Sequence, residues 1–195
     1  LTIARRGARL CLLKAITLLG STGSIGASTL DVVRRRPDRF RIHALAAGKN
    51  IQRLAAQIAE FRPSAAVVAD PADLRALEQA LLDAKMDRSD WPRLDAGGEA
   101  LTACATDREV DAVVSAIVGV AGLEATYEAA KAGKSIGLAN KETLVAGGAL
   151  VMEAARRHGA EIIPIDSEHN GAHQCLRAGR RESGCVSDEQ ANCAA

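Results

Sequence analysis

Short apolar runs alternate along this chain with longer stretches in which apolar residues return every three or four positions, a pattern that predicts successive β-α-β units rather than hairpins. Strands are expected at Ala15–Leu19, Arg41–Ala47, Ala65–Ala69, Ala112–Ala116, Ser135–Leu138 and Glu161–Ile165. The segments between them are long enough for crossover helices, so a mainly parallel sheet follows. The first helix starts at Ser24 or Ile25 and is stopped by Pro37, with Leu30 and Val33 on its core side and Arg34, Arg35 and Arg36 in solvent. The second, Ile51–Phe61, carries Leu54, Ile58 and Phe61 at helical spacing before Pro63. Between Asp83 and Gly98 no period is evident, which predicts a surface excursion in which Trp91 packs rather than stacks on a ligand.

Gly20-Ser-Thr-Gly23-Ser-Ile-Gly26 directly follows the first apolar run. Glycines at three-residue intervals between a strand and a helix allow a tight turn, close approach of backbone N–H groups to a pyrophosphate, and close helix packing. The fold class is therefore α/β, a Rossmann-like doubly wound sheet. In such sheets ligands sit beyond the C-terminal ends of the strands, and three further ends carry polar clusters. After the second strand, Gly48-Lys49-Asn50 places a cation where a fold preferring NAD would place an acid, so a ribose phosphate, and hence NADP, is favoured; Lys49 also reads as a plain loop lysine. After the fifth, Asn140, Lys141 and Glu142 open a helix expected to run through Met152; they suit substrate capture, and equally a helix cap with an acidic dipole partner. After the sixth come Asp166, Ser167, Glu168, His169 and Asn170. In extended geometry Asp166 and Glu168 would face one side and converge on a hard cation, Mg²⁺ or Mn²⁺; the alternative is an N-cap and acidic first turn.

Charge and composition narrow the partners. Across 195 residues, 25 basic and 24 acidic side chains leave a net charge of +1, which offers no field for nucleic acid or an anionic membrane, and no apolar run reaches the roughly 18 residues of a membrane span. Five cysteines, at 11, 104, 175, 185 and 193, lack C-x-x-C spacing, so neither a disulfide framework nor a zinc knuckle is expected and a reducing, cytoplasmic setting fits. Residues 1–13 form a basic, mildly apolar leader of uncertain origin, a transit peptide being the other reading. Residues 177–195 lose hydrophobic periodicity and read as an unstructured or foreign tail.

Taken in order, Leu19-Gly-Ser-Thr-Gly-Ser-Ile-Gly26, Ala47-Gly-Lys-Asn50, Leu138-Ala-Asn-Lys-Glu142 and Pro164-Ile-Asp-Ser-Glu-His-Asn170 resemble the 1-deoxy-D-xylulose 5-phosphate reductoisomerase family, the similarity running from about Lys14 to Leu176. The resemblance implies an NADPH-binding domain over residues 14–165, the start of a catalytic domain at 166–176, and a metal-assisted rearrangement of a phosphorylated keto-sugar followed by hydride transfer, giving 2-C-methyl-D-erythritol 4-phosphate for isoprenoid synthesis. It implies cofactor contacts from Thr22, Gly23, Ser24, Ile25, Gly48, Lys49, Asn50, Asn140 and Glu142. It implies substrate contacts from Lys141, Ser167 and Glu168, catalytic roles for Lys141 and Glu168, and divalent-cation ligation by Asp166 and Glu168. The family is homodimeric largely through regions outside the cofactor domain. Gly171-Ala-His173 departs from the bulkier apolar text expected after Asn170, and the chain reads as a fragment or a frame-shifted product that would bind NADPH while turning substrate over poorly or not at all. Two rivals are another NADP-dependent Rossmann dehydrogenase and a non-catalytic NADPH-binding module.

Overall fold

The computed structural model describes residues 13–189, without the side chains of Lys141 and residues 179–189. Seven strands form one sheet: β1 Lys14–Leu19, β2 Phe40–Ala47, β3 Ala65–Val68, β4 Arg93–Ala96, β5 Ala112–Ser115, β6 Ser135–Leu138 and β7 Ile162–Pro164. Their order is β4-β3-β2-β1-β5-β6-β7, with each neighbouring pair parallel. The chain thus winds outward from β1 in one direction and then, from β5, in the other, which is the doubly wound plan expected.

Seven helices connect and follow these strands: α1 Ser24–Arg35, α2 Ile51–Phe61, α3 Leu74–Asp83, α4 Gly97–Thr106, α5 Leu123–Lys131, α6 Lys141–His158 and α7 Ser167–Glu189. The sheet alternates its side chains between two cores. Ile16 and Leu18 pack with Leu30 and Val33 of α1, Leu54 and Ile58 of α2, and Leu77 and Leu81 of α3. Leu19, Val113, Ile136 and Leu138 pack with Leu101 of α4, Ala125 and Ala129 of α5, and Val151 of α6. Central strands buried on both faces need such continuous apolar runs, and β3, reading AAVV, is buried at every position.

Two expectations fail. The segment around Trp91 is not all excursion, because Arg93–Ala96 adds a strand beside β3. An edge strand pairs on one side only, so it carries the polar residues Arg93 and Asp95 without the apolar run that marks central strands. Trp91 itself packs against the core, its indole Nε1 donating to the Met86 carbonyl at 3.3 Å. The stretch from 177 onward is also not without structure, since α7 continues to Glu189; no proline interrupts it, and its Ala, Arg, Glu and Gln residues are good helix formers. The leader to residue 12 and positions 190–195 lie outside the described residues. Among the described residues no helix is long and apolar enough to cross a membrane, and the described cysteines, Cys104 and Cys175, are free thiols.

Candidate cofactor cleft

Register brings the site together. Leu19 pairs with Ser115, Ser115 with Leu138 and Leu138 with Pro164, so β1, β5, β6 and β7 end in one row across the sheet. The residues that follow, Gly20, Ala116, Ala139 and Ile165, therefore emerge side by side. A cleft of about 270 Å³ lies over this edge, lined among others by Gly23, Ser24, Ile25, Asn140, Glu142 and Asp166.

Each glycine of the first turn answers a different demand. Gly20 has φ +89°, and a Cβ there would lie 2.5 Å from the Ala116 carbonyl oxygen. A Cβ on Gly26 would fall on the carbonyl oxygens of Gly20 and Ser21, which lets α1 start hard against the turn. Gly23 meets only the Gly20 oxygen, at 3.5 Å, and is exposed on the cleft. It is also the N-cap of α1 and supplies no side-chain acceptor; the first turn holds no acid. The first intrahelical bond runs from Ala27 N to Gly23 O at 2.9 Å, leaving the N–H groups of Ser24, Ile25 and Gly26 without an intrahelical acceptor. Open donors, a positive helix end and a first turn without an acid suit an anion here, while Glu142 and Asp166 put carboxylates elsewhere on the cleft's lining.

The second strand end is tied to the first. Asn50 caps α2 by accepting from Arg53 N at 3.1 Å, while the Arg53 guanidinium donates to the Thr22 carbonyl at 3.0 Å. Gln57 Nε2 donates to the Ser21 carbonyl at 3.0 Å. Gly48, Lys49 and Asn50 are exposed, and Lys49 is therefore free to meet an anion. Arg53 is a second cation in this corner that sequence reading missed. It stands one helical turn from Asn50 in text that reads only as an amphipathic helix, so nothing but the fold brings it to the glycine turn.

The third end is a capped helix start. Asn140, 5 % exposed, accepts from Glu142 N at 2.9 Å and from Thr143 N at 3.4 Å. Its Nδ2 donates to the carbonyls of Ile117 and Gly119. The capping reading of Asn140 is thus realised, and the residue also lines the cleft. Glu142 is exposed on the same cleft, and Lys141 holds the first position of α6, its side chain lying outside what the structure describes.

At the fourth end the extended geometry proposed for Asp166 and Glu168 does not occur, because α7 begins at Ser167. Asp166 instead sits at the head of that helix, accepting from His169 N at 2.8 Å and lying 3.1 Å from its Nδ1. Glu168 is exposed and accepts from Ser167 Oγ at 3.1 Å. The strand is too short to continue past Pro164, and a carboxylate before free helical N–H groups favours capping. Among the described residues no group of three His, Cys, Asp or Glu side chains is placed to hold a metal. The pair suits a hard divalent cation in donor type but supplies at most two ligands.

Sheet order, glycine turn and cleft at the strand ends place the chain in the Rossmann-like class of nucleotide-binding folds. Within it the sequence model of 1-deoxy-D-xylulose 5-phosphate reductoisomerase matches residues 16–148, and the chain belongs to that family. The reductoisomerase of Solibacter usitatus is 60% identical over 169 residues, covering 87% of this chain and 43% of that relative. That of Cupriavidus taiwanensis is 52% identical over 163 residues, covering 84% and 40%. Among solved structures, DOX-P reductoisomerase in complex with NADPH, fosmidomycin and magnesium superposes with a TM-score of 0.77 at 47% identity, covering 84% of this chain and 39% of that one. The Zymomonas mobilis enzyme in complex with NADPH gives 0.76 at 41% identity, covering 84% and 41%. This chain therefore spans about two fifths of the length of the relatives it matches.

Proposed function

We propose that this chain is the NADPH-binding part of a reductoisomerase that converts 1-deoxy-D-xylulose 5-phosphate to 2-C-methyl-D-erythritol 4-phosphate. The observation that carries the reading is the unsatisfied N-terminus of α1 opening on the shared cleft, in a chain of this family. Backbone N–H groups around Thr22, Gly23, Ser24 and Ile25 hold the pyrophosphate. Gly48, Lys49 and Asn50, with Arg53 beside them, receive the adenosine ribose phosphate, since a cation rather than a carboxylate follows β2. Asn140 and Glu142 line the opposite wall.

Residues 14–165 form the cofactor domain and 166–176 open the catalytic part, with contacts to the phosphorylated sugar assigned, on the family resemblance, to Lys141, Ser167 and Glu168. Asp166 and Glu168 would hold Mg²⁺ or Mn²⁺, and further ligands have to come from the portion of the relatives this chain does not span. The chemistry these groups supply when bound is hydride donation from the coenzyme and polarisation of sugar oxygens by the cation. The chain's own contribution is to fix the coenzyme against the strand ends. The free thiols fit a cytoplasmic setting, and homodimeric assembly is proposed for the full length of the relatives, not for this chain alone.

Calorimetric titration tests the reading. NADPH is expected to bind saturably and at least about tenfold more tightly than NADH, a difference of about 1.4 kcal/mol. The chain alone is expected to show no turnover of the keto-sugar phosphate. Absence of NADPH binding by folded protein overturns the proposal.

A further inference from the structure

We propose that Asn140 is a positioning residue, locking the loop between β5 and α5 onto the start of α6 and so holding one wall of the cofactor cleft; the inference rests on the cofactor reading above. An asparagine side chain has two amide hydrogens and an acceptor oxygen with two lone pairs. All are engaged here: Nδ2 donates to the carbonyls of Ile117 and Gly119, and Oδ1 accepts from the backbone N–H groups of Glu142 and Thr143. At 5 % exposure, the side chain is committed to protein partners and acts on a ligand through the backbone it holds.

The loop needs such an anchor. Its regular bonding ends with Ala116 N on the Leu19 carbonyl at 2.8 Å and resumes with Leu123 N on the Val120 carbonyl at 3.0 Å. Ile117 packs against the core, but Val118 is 87 % and Val120 64 % exposed, so packing does little to fix the stretch from Val118 to Val120. Gly119 has φ +78°. The far end is pinned separately by buried hydroxyls, Ser115 Oγ to Thr126 Oγ1 at 2.8 Å and Thr126 Oγ1 to the Gly122 carbonyl at 2.6 Å. Ile117 and Val118 line the cleft together with Gly23 and Ser24, so a displaced loop changes the cleft's lining. Only an amide offers two donors on one side and an acceptor on the other at this place. An aspartate would keep the helix cap and set a carboxylate against two carbonyl oxygens.

Asn140→Asp therefore separates the two halves of the residue's work. In the ligand-free chain, ¹⁵N relaxation is expected to show order parameters for Val118, Gly119 and Val120 falling from about 0.85 to below about 0.6, with Glu142 and Thr143 unchanged. The NADPH dissociation constant is expected to rise about tenfold, by fluorescence titration. A residue serving only as a helix cap would leave the loop amides unmoved in this variant. Asn140→Ser, which keeps a capping oxygen on a shorter side chain, gives the same readout should the aspartate variant not fold. Unchanged loop order, or a loosened loop with unaltered NADPH affinity, overturns the proposal. Failure of the wild-type chain to bind NADPH overturns the cofactor reading instead, because the relaxation measurement needs no ligand.

Discussion

The turn after β1 and the turn after β7 leave the same edge of one sheet, yet they are built on different principles. The first is made of backbone: Gly20 and Gly26 leave no room for a side chain, and its donors are main-chain N–H groups fixed by two cores. The second is made of side chains at the head of a helix that packs against β7 and exposes Ser167, Glu168 and Leu176. A backbone site is complete once the strand and helix are in place. A side-chain site needs further groups to face it, and the described residues supply no third metal ligand at Asp166 and Glu168. On the proposed function, the difference lets a chain two fifths the length of its relatives carry a complete glycine turn beside two carboxylates that lack a third partner among the described residues.

Alanine substitutions at glycine break this comparison most directly. Gly20→Ala puts a Cβ 2.5 Å from a backbone oxygen at a positive φ, and is expected to cost about 2–4 kcal/mol in urea unfolding and to abolish NADPH binding. Gly171→Ala, in exposed α7 with nothing within 4 Å of the added methyl, is expected to be neutral or stabilising by up to about 1 kcal/mol. Similar losses at both positions would show that the second turn is as tightly built as the first.

Cations in the first region come next in size. Lys49→Ala is expected to weaken NADPH binding about tenfold and NADH binding less than about twofold, because only a ribose phosphate distinguishes the two coenzymes. Arg53→Ala is expected to weaken both, since Arg53 also holds the Thr22 carbonyl of the turn itself. Equal loss of both coenzymes in the Lys49 variant would remove the ribose-phosphate role.

How much of this was legible beforehand follows the same division. Where chemistry is local it could be read: the glycine spacing announced the turn, and apolar runs announced six of the seven strands. Strand β4 escaped because an edge strand needs no apolar run, and Arg53 because its partner lies 31 residues away in sequence. Asp166 and Glu168 admit two readings in sequence, a shared face in extended geometry or an N-cap with an acidic first turn, and the helix starting at Ser167 realises the second. The capping reading of Asn140 was legible at the strand's end, while its two carbonyl partners on another loop depend on the register of β5 against β6.

Acid titration probes the sheet's opposite edge, away from both turns. The Glu109 backbone N–H, 2.8 Å from Asp107 Oδ1, holds that carboxyl below its ordinary value of 3.8, aided by His43 at 3.4 Å. A depressed folded pKa contributes stability that is present above the ordinary value and lost as pH falls through the folded one. Unfolding midpoints are therefore expected to drop below about pH 4 and to drop less in Asp107→Asn, with NADPH affinity at neutral pH unchanged.

Glu168→Gln is expected to do least. The carboxylate is exposed and bonded only to its neighbour Ser167 among the described residues, and surface changes of this kind stay within about 0.5 kcal/mol. In this chain the substitution should alter neither the urea midpoint nor NADPH affinity, with or without added Mg²⁺, because the described residues bring no third His, Cys, Asp or Glu to Asp166 and Glu168. A Mg²⁺-dependent rise in stability that the substitution removes would show the metal site already assembled here, and the contrast between the two turns would fall with it.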